Sequence, residues 1–182
     1  APQVISSLPR GYENRSANAQ LRWAATDALT LKAQAWHAQG RSEYLGYDAL
    51  FSFGPLEQRY RNAVYAATTE YRRGERLLRA VLSRAEDTIR QQQSSDHART
   101  RRDTFDLQYT APPFGPHLLT VGAIASHEQA ASESFGTTYD VETDTRLVYA
   151  QDQMRFGRHD LLLAAAHTQH ETFGDHATWN LE

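Results

Sequence analysis

The segments TDTRLVYAQDQMRF (143–156), GRHD (157–160) and LLLAAAHTQHETFGDHATWNLE (161–182) together form a β-hairpin signature, which indicates the fold of the whole chain. The first segment predicts a strand, the second a tight turn, and the third a returning strand that leads into a polar loop. A further strand begins at Ala177, so we expect the sheet to continue beyond Glu182.

The composition excludes several classes of protein. The 182 residues include 19 Lys and Arg against 22 Asp and Glu, a net charge of -3, which gives no support for nucleic-acid binding. The absence of cysteine excludes disulfides and thiolate metal sites. No apolar run is long enough for a transmembrane helix, whereas a transmembrane β-barrel needs only alternating segments between turns.

Alternation of apolar and polar residues is clear in several segments. Residues 29–35 alternate leucine and alanine with Thr30, Lys32 and Gln34, and residues 104–110 alternate Phe105, Leu107 and Tyr109 with Asp106 and Gln108. Residues 118–126 repeat the pattern. This period of two predicts strands with one apolar and one polar face.

The connections between the predicted strands alternate in length. Tight turns are predicted near 25–28, 72–75, 112–116 and 157–160, and long polar loops near 45–57, 92–100, 130–142 and 171–177. Short turns at one end and long loops at the other are typical of outer-membrane barrels. The sequence therefore predicts an all-β fold: an antiparallel transmembrane β-barrel segment of about eight strands, over 15–182, after an irregular lead-in at 1–14.

Residues 75–93 (ERLLRAVLSRAEDTIRQQQ) allow two interpretations. Apolar residues recur at helical spacing among good helix formers, which favours an amphipathic helix. The neighbouring segments favour a strand. A helix here would indicate a soluble interaction domain.

A histidine-rich region raises the question of metal binding. It contains His159, His167, His170 and His176, with Glu171 and Asp175 nearby. A helix would place His167 and His170 on one face, whereas a strand would place them on opposite faces. No catalytic motif accompanies them, so we expect rim histidines, no metal, no cofactor and no enzymatic activity; a metal-binding protein is the lesser alternative.

Three segments resemble the barrel region of TonB-dependent outer-membrane receptors, particularly the cobalamin-receptor-like and siderophore-receptor-like members. They are HAQGRSEYLGYDALFSFGPLEQRYRNAV (37–64), ARTRRDTFDLQYTAPPFGPHLLTVGA (98–123) and YAQDQMRFGRHDLLLAAAHTQHETFGDHATWNLE (149–182). The similarity extends from about Gly11 onward, through strand, turn and loop signatures in the same order.

The resemblance implies a role in the outer membrane of a Gram-negative bacterium. Such receptors capture a scarce nutrient, such as cobalamin or an iron-siderophore, at extracellular loops and import it with energy from TonB. Outer-membrane lipid, the nutrient ligand, a plug domain and TonB are the implied partners. The plug and the TonB-contacting segment are not among these residues, so we expect this chain to supply wall, lumen lining and loop surface.

Aromatic residues divide into two groups under this interpretation. Those near strand ends are expected to form interfacial girdles. They are Trp23, Trp36, Tyr60, Phe105, Tyr109, Phe114, Tyr149 and Phe156. Those in the predicted long loops are expected to contact the ligand. They are Tyr44, Tyr47, Phe51, Phe53, Phe135 and Tyr139.

Overall fold

The computed structural model describes residues 10–48 and 50–182, which form one antiparallel sheet of nine strands. The strands are β1 (Tyr12–Ala24), β2 (Leu29–Tyr47), β3 (Phe53–Arg73), β4 (Arg76–Gln91), β5 (His97–Thr110), β6 (His117–Ser134), β7 (Thr137–Phe156), β8 (His159–His170) and β9 (Gly174–Leu181). This confirms the predicted all-β class. Among the described residues no helix is long and apolar enough to cross a membrane.

Each strand pairs with the strand that follows it, in the order β1 to β9. Within the described residues β1 and β9 are not paired with each other, so the sheet is open. The first strand begins at Tyr12, slightly before the predicted boundary at Arg15, while most of the predicted lead-in lies outside the described residues.

Directly paired residues point to the same side of a sheet, and this defines two faces. The banded face includes the row of successive partners Leu21, Ala33, Ala67, Leu82, Phe105 and Ala125. The polar face includes the row Thr30, Glu70, Arg79 and Gln108. On the banded face, an apolar band occupies the half nearest the short turns, and charged residues follow in the other half.

The sheet has almost no core of its own. In the described part of the chain the buried hydrophobic residues are Ala38 and Ala63. Large side chains of the apolar band stand open instead, with Leu21 67% exposed and Leu82 60% exposed. A water-soluble domain rarely exposes so continuous an apolar surface, so this face needs a cover.

The upper limit of the apolar band crosses the sheet obliquely. The first charged or polar residue beyond it is Arg15 in β1 and His167 in β8. The row through Arg15 crosses β7 at Asp140, whereas His167 pairs with Val148 of the same strand. The limit therefore shifts by 148 − 140 = 8 residues along the strands between β1 and β8. At ~3.3 Å per residue and ~4.8 Å between neighbouring strands, a limit perpendicular to the barrel axis corresponds to strands tilted by about 38° from that axis. Transmembrane barrels have tilts of about 35–45°.

The helical interpretation of residues 75–93 is wrong. This segment is β4, and its backbone groups pair with β3 on one side and with β5 on the other. Leu78 and Leu82 lie on the banded face, and Leu77 and Val81 lie on the polar face. Pairing along both edges of β4 satisfies its backbone N–H and C=O groups, and this hydrogen bonding outweighs the helix propensity of its side chains. The soluble interaction domain built on this helix is excluded with it.

The four tight turns are confirmed, but the four long loops are much shorter than predicted. Their connections are 48–52, 92–96, 135–136 and 171–173, because the flanking strands continue to pair beyond the apolar band. The largest difference lies at 130–142, where β6 and β7 join through Phe135 and Gly136 alone. The polar ends of the sheet are therefore extended strands.

Candidate functional site

A cleft lies at the end of the sheet remote from the short turns, and we call it the loop-end cleft. It has a volume of ≈ 660 Å³ and lies among the β2–β3, β4–β5 and β6–β7 connections. Its principal lining residues are Tyr44, Tyr47, Leu56, Ile89, Gln91, Gln93, Asp96, Glu133 and Phe135. Aromatic rings, amides and carboxylates thus meet in one concave surface, the usual composition of a small-molecule site.

The β4–β5 connection holds this cleft together. The backbone N–H of Phe135 donates to Asp96 Oδ1 at 2.9 Å, which attaches the β6–β7 turn to it. Ser95 Oγ donates to Glu133 Oε1 at 2.6 Å. On the other side, the backbone N–H of Glu57 donates to Gln93 Oε1 at 2.9 Å. Connections that are distant in sequence are therefore fixed to one another.

The six predicted ligand residues occupy different places at this end of the sheet. Tyr44, Tyr47 and Phe135 line the loop-end cleft, and the Tyr44 hydroxyl donates to Gln91 Oε1. The other three, Phe51, Phe53 and Tyr139, do not line it. Phe53 packs instead on Tyr47 across the β2–β3 pair, with ring centroids 5.1 Å apart. Their assignment as ligand residues stays a prediction.

Two of these phenylalanines have an unusual backbone. Phe51 has φ 57° and Phe135 has φ 50°, in the left-handed region that residues other than glycine rarely adopt. Their side chains are 85% and 95% exposed, so packing does not offset this strain. An exposed, strained aromatic residue contributes little to stability, which is consistent with a role in contacting another molecule.

The polar face carries ion pairs at the depth of the apolar band. Lys32 Nζ lies 2.7 Å from Glu70 Oε1, and Arg79 Nε lies 4.0 Å from the same oxygen. Three aromatic residues predicted for the girdles lie on this face, which corrects that prediction. They are Trp36, Tyr60 and Tyr149. Tyr60 and Tyr149 lie over glycines of the neighbouring strands, Gly40 and Gly122, which leave room for the rings.

The histidine-rich region does not form a cluster. His167 lies on the banded face and His170 on the polar face, as expected of a strand. Within residues 10–48 and 50–182, no three His, Asp or Glu side chains are placed to hold a metal ion.

The loop-end cleft includes residues that the sequence did not single out. Gln93, Ser95 and Asp96 belong to the predicted polar loop near 92–100, and Gln91 is the last residue of β4; none of them had an assigned role. The one signal that could have found them is the Ser94-Ser95-Asp96 run, whose short polar side chains often bond to nearby backbone groups.

Solved structures with the same fold include siderophore receptors and an outer-membrane transporter. The ferric enterobactin receptor of Pseudomonas aeruginosa, as a mutant in complex with enterobactin, matches 100% of this chain with a TM-score of 0.80 and 15% identity. The siderophore receptor PirA of Acinetobacter baumannii matches 94% with a TM-score of 0.78 and 16% identity. The outer-membrane transporter YddB of Escherichia coli matches 93% with a TM-score of 0.74 and 12% identity.

The chain spans about a third of these proteins, covering 33%, 31% and 29% of their respective lengths. No protein-family model matches it, and neither does any curated protein sequence. The resemblance to TonB-dependent receptor barrels is confirmed at the level of the fold. The described chain therefore has the fold of a nine-stranded segment of the barrel wall of outer-membrane siderophore receptors.

Proposed function

We propose that this chain forms part of the wall of a TonB-dependent receptor in the Gram-negative outer membrane, which imports an iron-siderophore. The observation that carries the proposal is the single-layer sheet, whose apolar band stands open on one face while ion pairs line the other. Lipid covers an apolar band of this kind in membrane barrels, and a polar face lines the lumen. The solved receptors named for siderophores support this nutrient, whereas cobalamin has no such support.

The loop-end cleft is the proposed contact for the nutrient. It joins aromatic rings to amide and hydroxyl groups, and Phe135, one of its lining residues, is 95% exposed. A ferric catecholate siderophore offers flat rings and peripheral oxygen atoms, which match this combination. The chain has no catalytic role in this proposal; a plug domain and TonB supply the coupling to energy.

Binding of ferric enterobactin to the purified chain in detergent tests the proposal. We expect saturable quenching of tryptophan fluorescence by ferric enterobactin and none by cyanocobalamin. Phe135→Gly should weaken binding about five-fold, since an aromatic contact contributes ~0.5–1.5 kcal/mol. Phe114→Gly, at the opposite end of the sheet, is the matched control. Equal binding by both variants, or saturable binding of cyanocobalamin alone, would contradict the proposal.

A further inference from the structure

A groove rich in arginine lies on the banded face of β1 to β6, beyond the apolar band. It has a volume of ≈ 1000 Å³, and its carboxylates among the described residues are Glu13 and Glu86. Its arginines are Arg15, Arg41, Arg59, Arg61, Arg90 and Arg99. We call it the arginine groove. The chain as a whole has a net charge of -3, so this positive charge is a local feature.

The strand register places like charges directly opposite one another in this groove. Arg41 pairs with Arg59, and Arg59 pairs with Arg90. Like charges at directly paired positions destabilise a sheet. Glu57 lies 2.9 Å from Arg59 and 3.7 Å from Arg41, which offsets the repulsion at these two positions.

The centre of the arginine groove has no such compensation. Thr88 pairs with Arg61 on one side and with Arg99 on the other, and Arg90 follows on the same face of β4. Within the described part of the chain these three arginines make no ion pair. Paired Cβ atoms in a sheet lie ~4.5–5.5 Å apart, so the Cβ atoms of Arg61 and Arg99 flank that of Thr88, and Arg90 projects from the same face.

This set of donors suits a phosphate group. Guanidinium groups bind phosphate oxygens in pairs of parallel hydrogen bonds, and they are less strongly hydrated than an ammonium group. A phosphate above Thr88 would separate the three positive charges and accept hydrogen bonds from each. A bound anion would therefore remove the repulsion that the register creates.

The position of the arginine groove identifies the source of the phosphate. Arg61 follows Ala63 and Tyr65 directly, so the groove begins where the apolar band ends on β3. If the band lies in hydrocarbon, as the proposed function requires, Arg61 lies at the level of the lipid head groups, and Thr88, Arg90 and Arg99 extend farther from the hydrocarbon.

We propose that Arg61, Arg90, Arg99 and Thr88 bind the phosphate of an anionic lipid in the outer leaflet, whose acyl chains follow the apolar band. The inference rests on the proposed function for the orientation of the band. It adds a lipid site on the banded face, separate from the nutrient contact at the loop-end cleft.

Native mass spectrometry of the chain in nonionic detergent tests this site, with phosphatidic acid as the probe. The test variant is Arg61→Gln/Arg90→Gln/Arg99→Gln. The control variant removes three exposed arginines near the short turns, Arg73→Gln/Arg76→Gln/Arg158→Gln. We expect one bound phosphatidic acid on the wild type and on the control, with at least about ten-fold weaker binding to the test variant, since each lost bond is charge-assisted.

Four results would overturn the lipid site. They are unchanged binding by the test variant, equal loss in the control, equal retention of phosphatidylcholine, and displacement by inorganic phosphate at concentrations equal to the lipid. The last of these would show that the groove binds free phosphate.

Quenching of Trp23 by brominated acyl chains separates the two proposals, because it reports contact of the band with lipid without involving the arginines. Quenching combined with unchanged binding by the test variant would refute the lipid site alone. Absent quenching would refute the proposed function.

Discussion

A pair of adjacent substitutions on β5 distinguishes the two faces of the sheet. Leu107 lies on the banded face between Ala80 and Ala123, in the middle rows of the apolar band. Gln108 lies on the polar face between Arg79 and Gly122. Each is replaced by arginine, so the two variants carry the same new side chain at neighbouring positions.

The expected cost differs strongly between the two positions. An arginine on the lipid face near the bilayer midplane costs ~2–4 kcal/mol, whereas a substitution on a hydrated face usually costs less than ~0.5 kcal/mol. Leu107→Arg should therefore reduce the folding equilibrium constant by about 30- to 700-fold, at ~1.4 kcal/mol for each factor of ten. Gln108→Arg places a second arginine directly opposite Arg79, so it should cost up to about 1 kcal/mol and change the constant by about five-fold or less.

Urea unfolding of each variant in phospholipid vesicles, followed by tryptophan fluorescence, measures the change in the folding equilibrium constant. If Gln108→Arg costs as much as Leu107→Arg or more, the banded face is not the face in contact with lipid. In water without lipid or detergent, neither variant should show a folded baseline, since the apolar band would lack its cover.

Three further predictions concern single contacts. Gly122→Ala should lower the free energy of unfolding by about 1–3 kcal/mol, because a Cβ atom at this position meets the Tyr149 ring. In a double-mutant cycle, Gly122→Ala should cost much less in the Tyr149→Ala background, and additive effects of the two substitutions would exclude the contact. Asp96→Ala should speed hydrogen exchange at the Phe135 amide by about two- to ten-fold, since it removes a hydrogen bond of ~0.5–1.5 kcal/mol, and an unchanged rate would count against that bond. Phe135 and Gly136 both have a positive φ, which glycine adopts more easily than other residues. Phe135→Gly should therefore leave the free energy of unfolding unchanged or raise it by about 1 kcal/mol, whereas Gly136→Ala should lower it by about 1 kcal/mol. A loss of stability in Phe135→Gly would show that its ring packs against the protein.

Much of the fold was predictable because the apolar band imposes a period of two on each strand. Residues 29–35 and 104–110 alternate because their apolar side chains belong to the apolar band and their polar side chains to the polar face. The turn at 157–158 was also predictable, since Gly157 takes a positive φ of 64° that favours glycine. These signals are local in sequence.

The ends of the strands were not predictable for a physical reason. Beyond the apolar band the strands are mostly polar, and the alternation in 137–143 is limited to Tyr139 and Val141 among Thr, Asp and Glu, so this segment resembles a polar loop. Strand pairing there is decided by partners distant in sequence, such as Tyr139 with Ser132. The same lack of a local signal hid the contribution of Gln93 and Asp96 to the loop-end cleft.

The choice between helix and strand for residues 75–93 stayed open for the opposite reason, because the apolar residues of this segment match both patterns. Leu77 and Leu78 both have apolar side chains and point to opposite faces of β4. A strand with apolar residues on both faces can match helical spacing by coincidence. The pairing with β3 and β5, which decides the structure, cannot be read from this segment alone.

The three tryptophans provide a direct measurement of whether lipid contacts the banded face. Trp23 and Trp179 lie on the banded face, 59% and 78% exposed, and Trp36 lies on the polar face. Three variants, each keeping one tryptophan and replacing the other two by phenylalanine, are folded into vesicles of phospholipid with brominated acyl chains. We predict strong quenching of Trp23 and Trp179 and weak quenching of Trp36. Equal quenching of all three, or stronger quenching of Trp36, would contradict lipid contact through the banded face.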